Sequence, residues 1–274
     1  MRRSSIRIAL VIILFAGAAA IVIGDLVHRT TGRKLRETIL AELWPVALKN
    51  CTFKRFGSAN DGGYVMCENL IEPLDAAYSY GVGRNDDWGC DVSRRYHVPV
   101  HQYDCFDPAR PSCDGGRFVF HNECVGNWTG YKESRYFDTL ENQIRKNGDA
   151  ERRVLIKMDI EGAEWDSLLA APDDLLASIP QITMEMHGFN DPKIVDVIRK
   201  LKRNFYLVNL HFNNWSCTRR AAPLLAWAYQ THWVNKRIGV VDPAVPVPAP
   251  MSSLNAPDSP TWPDCQLRTP RSKP

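Results

Sequence analysis

The sequence predicts an α/β fold built on a mainly parallel sheet with helices on both faces. Two observations indicate this class. Near-continuous apolar strands alternate with amphipathic helices over residues 51–241, and glycine or acidic residues end several of the strands. Strands buried on both faces have this uninterrupted apolar character in parallel sheets. With 274 residues, of which 45% are hydrophobic, the chain is long enough for one full-sized domain and flanking segments.

The N-terminal flank is predicted to be a membrane anchor followed by a stem. Residues 8–24 carry no charge and approach the length of a membrane span, and the three arginines before them favour a cytoplasmic N-terminus. We therefore expect an uncleaved signal anchor over residues 1–24, with a cleaved signal peptide as the alternative. Residues 25–50 are expected to form a stem, and the helical spacing within it ends at Pro45.

The first half of the domain is predicted to contain three strands and a helix. Apolar runs that end in glycine, aspartate or proline predict the strands, over residues 76–83, 98–108 and 117–126. Residues 134–148 are predicted to be helical, because apolar side chains recur on one face, at Phe137, Leu140 and Ile144. Gly148 is the expected end of this helix.

The second half of the domain repeats the alternation. Apolar runs predict strands over residues 153–159, 180–187 and 205–211. One intervening helix begins near Ala163, where Glu164 fits helix capping. The other covers residues 191–204, with Pro192 at its start. The proline-rich tail, residues 242–274, is expected to be extended or disordered.

Cysteines and glycosylation sequons favour the secretory pathway. The eight cysteines are even in number and lack the spacings of zinc sites, and three sequons begin at Asn50, Asn127 and Asn214. Together with the anchor, they predict a single-pass protein of the Golgi or endoplasmic reticulum whose domain lies in the lumen. A net charge of +3 without a basic block gives no reason to expect a nucleic-acid partner.

Four strand ends carry residues suited to a ligand site. They are Gly81 with Gly83, Asp107, Asp159 with Glu161, and Glu185 with His187. Because ligands bind at the carboxyl ends of parallel strands, we expect these residues to share one cleft. A glycine turn admits a ligand close to the backbone, and a carboxylate can accept hydrogen bonds from a ribose diol. The absence of a phosphate-binding glycine motif favours a nucleoside without phosphates.

Five segments of this domain resemble the FkbM-like branch of class I S-adenosylmethionine-dependent methyltransferases. They are FGSANDGGYVMC, YSYGVGRNDDWGCDVSRRY, YDCFDP, LIKMDIEGAEWDSL and ITMEMH. The chain is most similar to the membrane-anchored methyltransferase-like proteins of eukaryotes. This resemblance implies a Rossmann-like, seven-stranded sheet and S-adenosylmethionine as the cofactor.

The resemblance also implies roles for individual residues. Asp107 would bind the ribose hydroxyls, the segment HNECVG would lie near the adenine, and Asp159 and Glu161 would face the reacting centre. Ser79 departs from the family pattern, because many methyltransferases have an acid there that holds the amino group of the cofactor. The residues expected to contact the cofactor are Gly81, Gly83, Asp107, Asn122 and Asp159.

Methyl transfer from a sulfonium to a hydroxyl requires in-line alignment and removal of a proton. The predicted catalytic residues are Asp159, Glu161, Glu185 and His187. A cluster of carboxylates and imidazoles could also hold a divalent cation, with Asp159, His187 and His211 as candidate ligands. Family and compartment together favour O-methylation of a sugar, a glycan or another small hydroxyl acceptor.

Two other functions fit part of the pattern. A luminal glycosyltransferase would share the anchor, the stem and the α/β domain, and it would use Asp159 and Glu161 as a metal–nucleotide site. The sequence shows no diphosphate-binding motif that such an enzyme would need. A non-catalytic binding module would keep the methyltransferase fold without turnover, and Ser79 is the feature that suggests it.

Overall fold

The computed structural model describes residues 30–249 and 251–265. Its strands are β1 (Phe53–Gly57), β2 (Gly63–Cys67), β3 (Ala76–Tyr80), β4 (Pro99–Tyr103), β5 (Arg117–His121), β6 (Cys124–Gly126), β7 (Gly130–Lys132), β8 (Arg135–Thr139), β9 (Val154–Met158), β10 (Gln181–His187), β11 (Phe205–Phe212) and β12 (Ala228–Asn235). Its helices are α1 (30–42), α2 (Asp87–Tyr96), α3 (Leu140–Lys146), α4 (Glu164–Ala170), α5 (Asp173–Ser178) and α6 (Lys193–Asn204).

Seven strands form one sheet, in the order β11-β12-β10-β9-β3-β4-β5. The strands from β10 to β5 pair in parallel, whereas β12 runs antiparallel to both of its neighbours. The predicted α/β class and its mainly parallel, seven-stranded sheet are therefore confirmed. Every residue of β3, β9 and β10 is buried, which explains why β3 and β9 are almost uninterrupted apolar runs.

Both faces of the sheet are covered. Tyr78 and Tyr80 of β3 face a core that includes apolar residues of α1 and of α3 to α6. Ala77, on the opposite face of β3, belongs to a second core with α2 and the β1–β2 hairpin. The chain leaves β3 for β4 on one side and returns to β9 on the other, so the strand order reverses between β3 and β9. Such a reversal opens a crevice at the carboxyl ends of the strands.

Part of the predicted stem belongs to the domain. Helix α1 ends before Pro45, as expected, but its Ile39 is fully buried in the main core, together with Leu43 just beyond the helix. Over residues 30–249 and 251–265, none of the helices is long and apolar enough to cross a membrane. The predicted anchor, residues 1–24, lies outside the described residues.

The proline-rich tail packs on the domain as far as residue 265. We call residues 251–265 the strap. Cys265 forms a disulfide with Cys217, and the Asn214 side chain donates hydrogen bonds to two strap carbonyl oxygens. Asp258 of the strap is 3% exposed and accepts a hydrogen bond from Gln230 of β12. The expected disorder therefore does not hold for the strap, because a disulfide and polar contacts hold a segment with few apolar residues.

Two other boundaries differ from the prediction. Residues 135–139 form β8, which pairs with β6 and β7, so only the second half of the predicted helix is helical. Thr139 caps α3 by accepting a hydrogen bond from the Asn142 backbone, which starts the helix at Leu140. The predicted strand over 117–126 is divided into β5 and β6. Strands β1, β2, β7 and β12 and helices α2 and α5 were not predicted.

All eight cysteines lie among the described residues, and they form four disulfides. The pairs are Cys51–Cys67, Cys90–Cys113, Cys105–Cys124 and Cys217–Cys265. Each pair closes a loop of 16 to 48 residues, and loop closure of this kind restricts the unfolded chain. The third disulfide joins the loop after β4 to the first residue of β6, beside the crevice.

Candidate active site

The crevice between β3 and β9 contains a cavity of about 610 Å³, a size typical of small-molecule sites. Its wall comes from the loops after β3, β4 and β9 and from the segments beside them. The residues that line it are Asp61, Gly62, Tyr80, Gly81, Val82, Gly83, Asn85, Asp86, Asp87, Trp88, Tyr103, Asp104, Cys105, Phe106, Glu123, Cys124, Val125, Phe137, Lys157, Asp159, Ile160, Glu161 and Ala163.

Two predicted glycines form part of this wall. Gly81 has φ +71° and Gly83 has φ +52°, the left-handed region that side chains disfavour. A Cβ on Gly81 would overlap the backbone oxygen of Asp159, whereas a Cβ on Gly83 would have no heavy atom within 4 Å. Gly81 therefore allows the ends of β3 and β9 to approach each other closely.

A carboxylate from another element lies beside Ser79. Asp86, the N-cap of α2, lines the cavity, and its carboxylate accepts a hydrogen bond of 3.1 Å from the Ser79 hydroxyl. The Gln102 side chain donates a second bond to Asp86, at 2.8 Å. Ser79 thus orients a carboxylate that comes from the following helix.

Asp107 lies outside the wall of the cavity. Its carboxylate accepts a hydrogen bond from the Ala109 backbone and stands 3.5 Å from the Arg84 side chain. Asp104 lines the cavity instead, because β4 ends at Tyr103, earlier than predicted. Its two oxygens accept bonds from the backbone of Gly83 and from two amides of its own loop. Asp104 therefore fixes the glycine turn to the loop after β4.

In the segment HNECVG, the residue that faces the cavity is Glu123. Asn122 is exposed to solvent and does not line the wall. Glu123, Cys124 and Val125 do line it, and the disulfide from Cys124 to Cys105 holds this segment against the loop after β4. The resemblance pointed to this segment, but nothing in the sequence singled out Glu123 within it.

The predicted catalytic residues form a cluster at one end of the cavity. Asp159 and Glu161 follow β9 and line the wall, whereas Glu185 and His187 lie on β10 and are buried. Nε2 of His187 is 3.7 Å from an oxygen of Asp159, 3.6 Å from one of Glu161 and 3.7 Å from one of Glu185. The structure thus brings all four residues together.

Glu164 supports the cluster from behind. This fully buried carboxylate accepts hydrogen bonds from the backbone of Ile160 at 3.0 Å and of Gly162 at 2.8 Å. One of its oxygens is also 2.8 Å from Nδ1 of His187. The bonds from the two backbone amides match the capping role expected from the sequence. The contact between Glu164 and His187 was not predicted.

Two further residues contact Asp159 and were also missed. The Tyr64 hydroxyl donates a hydrogen bond of 3.2 Å to Asp159, and Nζ of Lys157 is 3.9 Å from the same carboxylate oxygen. Lys157 mainly donates to the carbonyl oxygen of Gly81, at 2.7 Å. A buried lysine in the apolar run VLIKMD was the one signal in the sequence that pointed to this residue.

Burial and charge shift two pKa values in the cluster. Burial raises the pKa of Glu185 to about 8, and the charges of Asp159 and Asp258 act in the same direction. Burial alone would lower the pKa of His187, but the bond to Glu164 and the neighbouring carboxylates outweigh it and raise the pKa to about 9. At neutral pH both groups hold a proton, so neither is free to accept one from a substrate.

His211 does not join this cluster. Strand β12 lies between β10 and β11, and its Gln230 pairs with Glu185 on one side and with His211 on the other. Nε2 of His211 is instead 3.5 Å from Asp264 of the strap. In its place, Glu161 stands with Asp159 and His187 as a group that could hold a metal ion.

Comparison with known proteins identifies a family for this chain. The sequence model of the methyltransferase FkbM domain matches residues 59–208. This span includes the glycine turn, the acids after β9 and His187, and it stops before β12 and the strap. No curated protein matches the chain.

Proposed function

Because the chain belongs to the FkbM methyltransferase domain family, we propose that it transfers the methyl group of S-adenosylmethionine to a hydroxyl oxygen. The observation that carries this proposal is the cavity itself. It has the size of a cofactor site, it follows a glycine turn, and one end opens on Asp159 and Glu161. The cofactor and the acceptor would meet at that end.

The wall of the cavity offers groups that complement the cofactor. The carboxylate of Asp86 suits the amino group of its methionine part, and the carboxylate of Glu123 suits the exocyclic amino group of adenine. Val125 and Phe137 supply apolar surface beside Glu123. With Gly81 and Gly83 at the turn, the ribose would pass close to the backbone.

In the reaction that we propose, an acceptor hydroxyl gives its proton to the carboxylate of Asp159. A lone pair of the same oxygen attacks the methyl carbon in line, and the carbon–sulfur bond breaks. The bonding electrons return to sulfur, which leaves as the neutral thioether of S-adenosylhomocysteine. Tyr64 and Lys157 hold Asp159 in place, and His187 lies 3.7 Å from the same carboxylate.

Cofactor binding is tested by calorimetry of the full chain with S-adenosylhomocysteine. Glu123→Ala should weaken binding by about 1–3 kcal/mol, because a buried amino group would lose a charged acceptor. Asn122→Ala, the exposed neighbour, is the matched control and should bind like the wild type. Asp107→Ala, measured beside them, tests the role of Asp107 expected from the family.

Three results would contradict parts of this assignment. Equal affinity in wild type and Glu123→Ala would remove Glu123 from the adenine site. Binding of a nucleotide sugar, with none of S-adenosylhomocysteine, would support the glycosyltransferase alternative. Failure to turn over any acceptor, despite cofactor binding, would favour the non-catalytic module.

We also propose that the domain lies in the lumen of the secretory pathway and that its acceptor is a glycan or another small hydroxyl compound. Four disulfides that use every cysteine support an oxidising compartment. The family supports a hydroxyl acceptor. The membrane anchor expected from residues 8–24 would hold the domain in that compartment.

The three sequons differ in accessibility, which makes the compartment testable. Asn127 is exposed, whereas Asn214 is 2% exposed and its side chain donates to Ser259 and Trp262 of the strap. In secretory-pathway cells, Asn127→Gln should remove an endoglycosidase-sensitive shift in gel mobility, and Asn214→Gln should not. An unmodified Asn127, in a domain open to cytosolic protease, would show that the domain is not luminal.

A further inference from the structure

The acids at the end of the cavity surround one imidazole nitrogen. Asp159, Glu161 and His187 each offer one ligand atom, and these atoms lie within 4.8 Å of one another. From Nε2 of His187, the two carboxylates stand at 3.7 and 3.6 Å, beyond hydrogen-bond distance. Atoms that share one cation at about 2.1 Å lie about 3–3.4 Å apart, so a small inward movement would complete such a site.

The other nitrogen of this imidazole supplies an independent observation. Nδ1 of His187 is 2.8 Å from Glu164, which is fully buried and held by the backbone amides of Ile160 and Gly162. Histidines that ligate metals usually donate their second N–H to a carboxylate in this way, which fixes the ring and its tautomer. Here the arrangement leaves Nε2 of a 7% exposed histidine aimed at Asp159 and Glu161.

Carboxylate groups are the main neighbours of Nε2. Three carboxylates lie within 3.7 Å of it, those of Asp159, Glu161 and Glu185. Lys157 does not occupy this position, because its ammonium group donates to the Gly81 carbonyl oxygen and stands 3.9 Å from Asp159. A divalent cation beside Nε2 would therefore find carboxylate oxygens as its other ligands.

We propose that Asp159, Glu161 and His187 bind a divalent cation that prefers oxygen ligands, of the Mn²⁺ or Mg²⁺ class. Two carboxylates with a single imidazole favour such a cation over one that prefers sulfur or several histidines. The role of this cation in catalysis rests on the proposed function. A cation there would bind the acceptor oxygen and acidify its hydroxyl.

The test measures Mn²⁺ binding to the full chain by electron paramagnetic resonance, without cofactor or acceptor. We expect one ion per chain. Glu161→Gln should weaken binding by about tenfold or more, and Asp159→Asn should do the same. The Glu161 side chain is 79% exposed, so its substitution should leave folding intact, which a thermal melt checks.

Two matched substitutions serve as controls. Glu133→Gln changes another exposed glutamate with a left-handed backbone, at φ +49° against +55° for Glu161. Asp166→Asn changes an exposed aspartate on α4 that pairs with Lys193. Both variants should bind Mn²⁺ like the wild type.

The outcomes separate this proposal from the proposed function. If millimolar Mn²⁺ does not bind, while S-adenosylhomocysteine does, the cation site is overturned and the methyltransferase assignment stands. If Mn²⁺ binds equally well to Asp159→Asn and Glu161→Gln, the ion lies elsewhere and this site is likewise overturned. If Mn²⁺ binding depends on both residues but S-adenosylhomocysteine does not bind, the cation site stands and the proposed function fails.

Discussion

Asp159→Asn should lower turnover by about 10²-fold or more, the scale of general acid–base contributions. The substitution keeps the shape of the side chain and removes its charge. Asp159 ends a fully buried strand, and its backbone amide donates to Tyr80 at 3.0 Å, so its position does not depend on the carboxylate. The loss should therefore appear in kcat, with the free energy of unfolding nearly unchanged.

The measurement is methyl transfer to a hydroxyl acceptor, with Asp166→Asn as the control for loss of an exposed aspartate. Activity close to wild type in Asp159→Asn would remove Asp159 as the base. If the Asp159→Asn protein does not fold, the carboxylate is needed for the structure. Its hydrogen bond from Tyr64 would then be the contact that matters. His187→Ala should also lower turnover, because His187 is 3.7 Å from Asp159.

Gly81→Ala should destabilise the fold by about 3 kcal/mol or more. A side chain at φ +71° costs about 1–2 kcal/mol, and forcing a methyl group into a packed space costs about 1–3 kcal/mol more. The methyl would overlap the backbone oxygen of Asp159, which cannot yield without moving the end of β9. Binding of S-adenosylhomocysteine should fall in the same variant.

Gly83→Ala is the matched control. It has the same left-handed backbone, at φ +52°, but no heavy atom lies within 4 Å of the added methyl. We expect it to lose only the backbone contribution, about 1–2 kcal/mol. Denaturant unfolding under non-reducing conditions compares the two variants. Equal losses would mean that the approach of Gly81 to Asp159 contributes nothing to stability.

The strands that the sequence predicted share a physical reason. In β3 and β9 both faces are buried, so the apolar run itself indicates the strand. Strand β12 is equally buried, but it contains Gln230, which bonds to Asp258 of the strap, and His232, which bonds to Gln181. Its polar residues are satisfied by partners far away in the chain, which local pattern cannot reveal.

The prediction of a helix over residues 134–148 was wrong in its first half for a related reason. Phe137, Leu140 and Ile144 fit one face of a helix, but Phe137 lies in β8, between β6 and β7. Pairing with those strands satisfies the backbone of residues 135–139, and the Thr139 cap then starts the helix. The secondary structure of such a short segment depends on which neighbouring segments satisfy its backbone hydrogen bonds.

The sequence by itself determined the fold class, the glycine turn and the acids that follow β9, because each of these depends on a local pattern of residues along the chain. It also located His187 and Glu185 at the end of a buried strand. The tertiary structure alone decided which neighbours face the cavity: Glu123 rather than Asn122, and Asp104 rather than Asp107. It likewise joined Glu164 to His187 and Lys157 to Gly81. Side-chain direction and contact between distant segments depend on packing, which the order of residues along the chain does not show.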